Sequence, residues 1–99
     1  MIVIAGTVPI HPERRAEAVQ VALRMAAATE AEAGCISYRL YSDVGDPHTW
    51  LIFEQWENEE ALLRHFQTPH MAEFRRQLPK YVTGPATIKR YTVEAVTDL

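Results

Sequence analysis

A single cysteine, Cys35, is the whole thiol inventory of these 99 residues. No intrachain disulfide is possible, and a reducing, cytoplasmic setting is expected. Basic charge is also scarce: 10 Lys and Arg against 13 Asp and Glu leave a net charge of −3. That balance gives no electrostatic footing for nucleic acid or an anionic membrane. No apolar run reaches the roughly 18 residues that a membrane-spanning helix needs. Met1 leads straight into Ile-Val-Ile-Ala, without the basic segment that opens a signal peptide. The phosphate-cradling G-x-G-x-x-G, the P-loop and the nucleophile elbow G-x-S-x-G are all missing, so nucleotide-dependent and serine-hydrolase readings have no support. No linker, low-complexity tract or internal repeat interrupts the chain, and residues 1–99 read as one domain.

What is present is apolar bulk. Hydrophobic residues make up 47% of a chain so short that a lone monomer has a modest core. The β-branched Met1–Ile10 reads as a strand closed by Pro9 and Pro12. Pro12 suits a first helical position, and an alanine-rich helix is expected from there to Ala33, burying Ala16, Val19, Leu23 and Ala26 and ending at Gly34. Cys35–Ser42 alternates, with Ile36, Tyr38 and Leu40 on one side. Turn residues 43–48 separate it from a second arm, Thr49–Glu57, which is apolar on both faces. Asn58 caps a short helix, and Thr68-Pro69 breaks and restarts it. After Gly84-Pro85 a last strand is expected over Ala86–Val96. The order is βαββαβ, the α+β ferredoxin-like pattern, with the helices on one sheet face. The two-sided strands lead us to expect a homodimer that covers the other face.

The candidate chemistry gathers between Trp50 and Phe74. His65, beside Leu62 and Phe66 on the edge of an apolar face, reads either as a general base opening into a cavity or as a packed corner histidine. His70, in the first turn after Pro69, reads as a neutral donor into the same space or as a corner residue bonded to backbone. His65, His70 and Glu73 suggest a metal only weakly, because a helix break separates them, and we expect none. Tyr38 and Trp56 could wall an aromatic-ligand pocket or serve as ordinary core. Glu54 in an apolar strand needs a partner, for which Arg39 and Arg90 are the candidates. Cys35 reads as a small buried residue without an activated thiol.

The run F-E-Q-W-E-N-E-E-A-L-L-R-H-F-Q-T-P-H-M, Phe53 to Met71, resembles the E-x-W-x…L-x-x-H…T-P-H signature of antibiotic biosynthesis monooxygenase (ABM) domains, most of all the small quinol monooxygenases. The preceding E-A-G-C-I-S-Y, Glu32 to Tyr38, is similar to the same family's E-x-G-C-x-x-Y segment. The resemblance implies a dimeric α/β barrel with a cavity between each sheet and its own helices. It implies oxidation of a small phenolic or quinol-type aromatic by O₂, with no metal, haem or flavin cofactor. It implies catalytic roles for His65, His70 and Tyr38, with Thr7, Trp56, Phe66 and Phe74 contacting substrate. Haem-degrading relatives use an Asn, a Trp and a His at positions that here hold Thr7, His65 and Arg75, so that activity is not expected. A non-catalytic or isomerase-like dimer binding a small molecule in the same cavity is the alternative.

Overall fold

The β-branched opening of the chain forms β1 (Ile2–Pro9), an inner strand of the sheet. The computed structural model describes all of Met1–Leu99. After β1 come α1 (Arg15–Glu30), β2 (Cys35–Ser42), β3 (Thr49–Trp56), α2 (Glu59–Phe66), α3 (Pro69–Gln77) and β4 (Thr87–Thr92). Single 3₁₀ turns at Pro12–Arg14 and Leu78–Lys80 precede α1 and follow α3. Every strand pair is antiparallel, in the spatial order β2-β3-β1-β4. This is the α+β ferredoxin-like arrangement. No helix is long and apolar enough to cross a membrane.

The period-two alternation of β3 decides which face is covered. Trp50, Ile52, Glu54 and Trp56 are all buried, and they stand opposite Val8, Gly6, Ile4 and Ile2 of β1 on the helix side. Trp56 packs with Ile2, Ala61 and Leu62; Trp50 packs with Val8, Val21 and Tyr81; Met25 packs with Tyr38 and Ile52. Each such large side chain contributes about 1.5–3 kcal/mol when fully buried. The opposite face carries Val3, Ala5 and Thr7 beside Gln55, Phe53 and Leu51, with no helix over it.

Four expectations need correction. The buried stripe of α1 is Ala18, Val21, Ala22, Met25 and Thr29, while Ala16 and Leu23 are exposed. Alanine is spread around this helix, so its apolar pattern singles out no face. The side is settled by Val21 and Met25 seating against β1, β2 and β3. Ile36 is 50% exposed rather than aligned with Tyr38, because a register shift between Cys35 and Ser37 bulges β2 there. β4 stops at Thr92 rather than Val96, where its partner β1 ends at Ile2. The helix also ends at Glu30, three residues before Ala33, and a turn runs on to Gly34.

Gly34 fixes that turn against the second helical layer. Its φ is +85°, and a Cβ there would stand 2.4 Å from the Ala61 Cβ of α2. Only glycine satisfies both the left-handed backbone and the close approach. The Gly34 carbonyl also accepts from the Glu57 amide at 2.9 Å, so the end of α1 is clamped beside the start of α2.

Candidate functional site

That clamp carries Glu32 to the corner between α2 and α3. Asn58 caps α2 by accepting from the Ala61 amide at 2.9 Å. Thr68 caps α3 by accepting from the Met71 amide at 3.2 Å, and its own hydroxyl donates to the His65 carbonyl at 2.8 Å. On an unbroken helix, His65 and His70 would sit about 140° apart around the axis. The break at Thr68-Pro69 turns both toward the same point. One carboxylate oxygen of Glu32, Oε2, lies 2.7 Å from His65 Nδ1 and 2.7 Å from His70 Nε2.

A carboxylate only accepts, so each imidazole presents an N–H to it. In the neutral rings this leaves His65 Nε2 and His70 Nδ1 as proton-accepting nitrogens. The two histidines differ in access. His65 is 1% exposed, its ring tilted by 40° against that of Trp56 with centroids 4.8 Å apart, and with Tyr38 at 6.1 Å and Phe66 at 5.9 Å. His70 is partly exposed and lines a cleft of about 250 Å³ between α1 and α3, with Arg24, Glu73 and Phe74 in its walls. A smaller apolar cavity of about 50 Å³ lies between the sheet and the helices, bounded by Trp50, Ile52, Phe74 and Tyr81 among others. His65 lines neither space.

Glu32 was not singled out from the sequence as a site residue. Its sequence signals are its place at the head of the E-A-G-C-I-S-Y segment and two residues before Gly34. The acid expected beside the histidines, Glu73, instead pairs with Arg76 and Gln77. The carboxylate and the two imidazoles are the groups that could hold a metal ion, their ligand atoms lying within 4.8 Å of one another. Without an ion, the two nitrogens share the oxygen through hydrogen bonds at 2.7 Å each.

Glu54 also differs from expectation. Arg39 pairs with Glu30 at 3.4 Å and Arg90 with Glu59 at 3.0 Å, and neither reaches it. Its partner is the Trp56 indole, whose Nε1–H donates to Glu54 Oε1 at 3.0 Å. Burial raises the Glu54 carboxyl from 4.5 to about 7; the Trp56 hydrogen bond opposes this and the nearby Glu32 charge adds to it. Burial, then the charges of Glu54, Cys35 and Glu32, push the Tyr38 phenol far above its ordinary range, so it stays a neutral donor. Burial, with Glu30, Glu32 and Glu54 nearby, raises the Cys35 thiol to about 11, and it is inert near neutrality.

The fold therefore groups His65, His70, Tyr38, Trp56 and Phe66 in one neighbourhood. Arg75 stands over the Phe66 ring at 5.8 Å. Phe74 lies in the walls of both the cleft and the apolar cavity. Thr7 is on the uncovered sheet face, paired with Leu51, and is not part of this group.

Residues 1–77 match the family model described as antibiotic biosynthesis monooxygenase. A Synechocystis protein of uncharacterised activity is 37% identical over 98 residues, covering 99% of this chain and 67% of that protein. YcnE of Bacillus subtilis, which bears the provisional name of a monooxygenase, is 29% identical over 91% of this chain and 95% of its own. The structure of Rv0793 from Mycobacterium tuberculosis superposes with a TM-score of 0.89 over 98% of both chains, at 24% identity.

Proposed function

The chain belongs to the antibiotic biosynthesis monooxygenase family, and on that premise we propose that it oxidises a small phenolic or quinol-type aromatic with O₂, as a homodimer and without a cofactor. The observation that carries this reading is the Glu32 carboxylate held between His65 and His70, with His70 on an open cleft. In the proposed cycle the substrate hydroxyl meets His70 Nδ1, which takes its proton. Glu32, already bonded to Nε2, stabilises the resulting imidazolium, and the His65 N–H keeps the carboxylate in place. The base is thus His70 rather than the more deeply buried His65. Tyr38 stays neutral and, packed with Trp56 and Phe66 around His65, forms the aromatic wall behind the histidines.

The chemistry balances without another reductant. The phenolate passes an electron to O₂, and the radical pair joins at a hydrogen-bearing ring carbon ortho or para to the oxygen, forming a C–O bond. Loss of that carbon's proton and cleavage of the O–O bond release water and leave a second carbonyl. One atom of O₂ enters the ring, the other leaves as water, and the substrate supplies all the electrons. An apolar interior favours this path by keeping water from the reactive intermediate. The proposed dimer buries the uncovered sheet face, where Leu51, Phe53, Val3 and Ala5 offer the apolar centre of an interface.

The test is oxygen uptake by metal-stripped protein on a panel of naphthols and hydroquinones, with His70→Ala in parallel. Turnover that falls about 10²–10⁴-fold in the variant supports the assignment. Saturable ligand binding with no oxygen uptake by the parent would overturn it in favour of a binding or isomerase-like role.

A further inference from the structure

No arginine or lysine pairs with the Glu32 carboxylate. The arginines that form ion pairs give them to Glu17, Glu30, Glu60, Glu73 and Glu59. The Glu32 side chain is only 13% exposed, and its partners are the two imidazoles of His65 and His70. Neutral imidazoles supply hydrogen bonds but no charge. Glu54, buried and likewise without an arginine or lysine, feels the Glu32 charge and adds a second acid to the same neighbourhood. A carboxylate enclosed in this way is stabilised by a positive charge that the chain itself does not bring.

The donor atoms for such a charge already converge. His65 Nδ1, His70 Nε2 and a Glu32 carboxylate oxygen all lie within 4.8 Å of one another. The helix break at Thr68-Pro69 separates the histidines in sequence and brings them to one point in space. Glu32 stands in the turn after α1 rather than inside a helix. An ion bonded at about 2.0–2.2 Å to each atom fits once the oxygen, now 2.7 Å from both nitrogens, draws back slightly. Two imidazoles and one carboxylate form the donor set of open zinc sites, where water fills the fourth position. Ca²⁺ and Mg²⁺ prefer all-oxygen sets. The way in is the His70 side, which is 27% exposed on the cleft of about 250 Å³.

We propose that Glu32, His65 and His70 form a Zn²⁺ site, and that an ion held there switches the histidine chemistry off. The second half rests on the reading of His70 as the base. In the metal-free corner His70 keeps its proton on Nε2, bonded to Glu32, and offers the Nδ1 lone pair to substrate. Zn²⁺ takes Nε2, so the single proton of the neutral ring moves to Nδ1. The nitrogen that faced substrate as an acceptor becomes a donor and takes no proton. His65 changes in the opposite sense, with Zn²⁺ on Nδ1 and the proton on Nε2. No net proton is released, and the ion is an inhibitor rather than a cofactor.

Metal-free protein is titrated with Co²⁺, and then with Zn²⁺ in competition with a chromophoric chelator. Circular dichroism checks that each variant is folded. The expected result is one ion per protomer, with visible Co²⁺ absorption stronger than that of the hydrated ion and abolished by Zn²⁺. Glu32→Gln and His70→Ala should each weaken Zn²⁺ binding by at least the 10–100-fold or so that loss of a mere outer-shell partner costs. His11→Ala, outside the cluster, should bind as the parent does. Absence of the Co²⁺ band, affinity unchanged in Glu32→Gln and His70→Ala, or an equal loss in His11→Ala overturns the site. Turnover of a naphthol that the metal-free parent oxidises should fall with Zn²⁺ occupancy by the roughly 10²–10⁴-fold that loss of a base costs, and return with EDTA. Full turnover at saturating Zn²⁺ overturns the switch. The binding readout needs no turnover. A chain that holds Zn²⁺ at these residues but oxidises nothing refutes the monooxygenase reading alone, and oxidation by a chain that binds no Zn²⁺ refutes this inference alone.

Discussion

Replacing Glu54 by glutamine should remove a pH-dependent weakness in the fold. The carboxyl is 7% exposed and has one hydrogen-bond donor, the Trp56 indole. Burial lifts it from 4.5 to about 7, so between those values the folded state holds a proton that the unfolded chain has released. The sign follows: stability falls as pH rises through that window and levels off above about 7. With each pH unit worth about 1.36 kcal/mol, the full effect is about 3 kcal/mol. Glutamine keeps an oxygen for the Trp56 N–H and carries no charge. Urea unfolding of parent and Glu54→Gln should be followed by tryptophan fluorescence at about pH 5 and about pH 8, at one fixed protein concentration because assembly shifts apparent stability. Taking the difference between the two proteins cancels every other titrating group. The variant should gain on the parent by about 2–3 kcal/mol from the lower pH to the higher. A difference that stays flat across the window would mean that Glu54 is ionised and well solvated in the fold, and the burial argument would be refuted.

Other variants probe the remaining parts of the account. Gly34→Ala should cost about 2–5 kcal/mol by chemical denaturation, since it combines a left-handed backbone with an overlap against Ala61; a loss under about 1 kcal/mol would contradict the close approach. Leu62→Ala, at a site 1% exposed, should cost about 2–5 kcal/mol in the same assay. Leu23→Lys, on the exposed side of α1, should stay within about 0.5 kcal/mol of the parent, and a large loss would restore the helix face expected from the sequence. Thr68→Ala removes the cap of α3 and the bond to the His65 carbonyl. It should cost about 1 kcal/mol of stability and slow turnover as well, because it loosens the corner that aims both histidines.

The strands and breaks were legible because their causes are local. The alternation in β3, the cap at Asn58 and the Thr68-Pro69 restart each follow from a few neighbouring residues, and all three stand in the fold. The family signature likewise marked His65 and His70. The face of α1 was not legible, because alanine serves as either core or surface and leaves the choice to Val21 and Met25. Glu32 opens the quoted E-A-G-C-I-S-Y segment, but its contact with the histidines was not legible, because it depends on the packing of Gly34 on Ala61, 27 residues later in the chain. Glu73 is close to His70 in sequence yet turns to Arg76, its neighbour one helical turn on. Neither the cavity beside Trp50 nor its unpaired N–H has a sequence signal, since both depend on how Phe74, Tyr81 and the sheet fill space.

The central claim is that Glu32-bridged histidines start a monooxygenation powered by the substrate's own electrons. Its most direct test is single-turnover oxidation of a naphthol under ¹⁸O₂, with metal-stripped protein, rapid quench and mass analysis of the product. The account predicts one heavy oxygen in the quinone, no hydrogen peroxide, and loss of the reaction in Glu32→Gln. An unlabelled quinone formed with stoichiometric peroxide, or labelled product formed equally fast by Glu32→Gln, would contradict it.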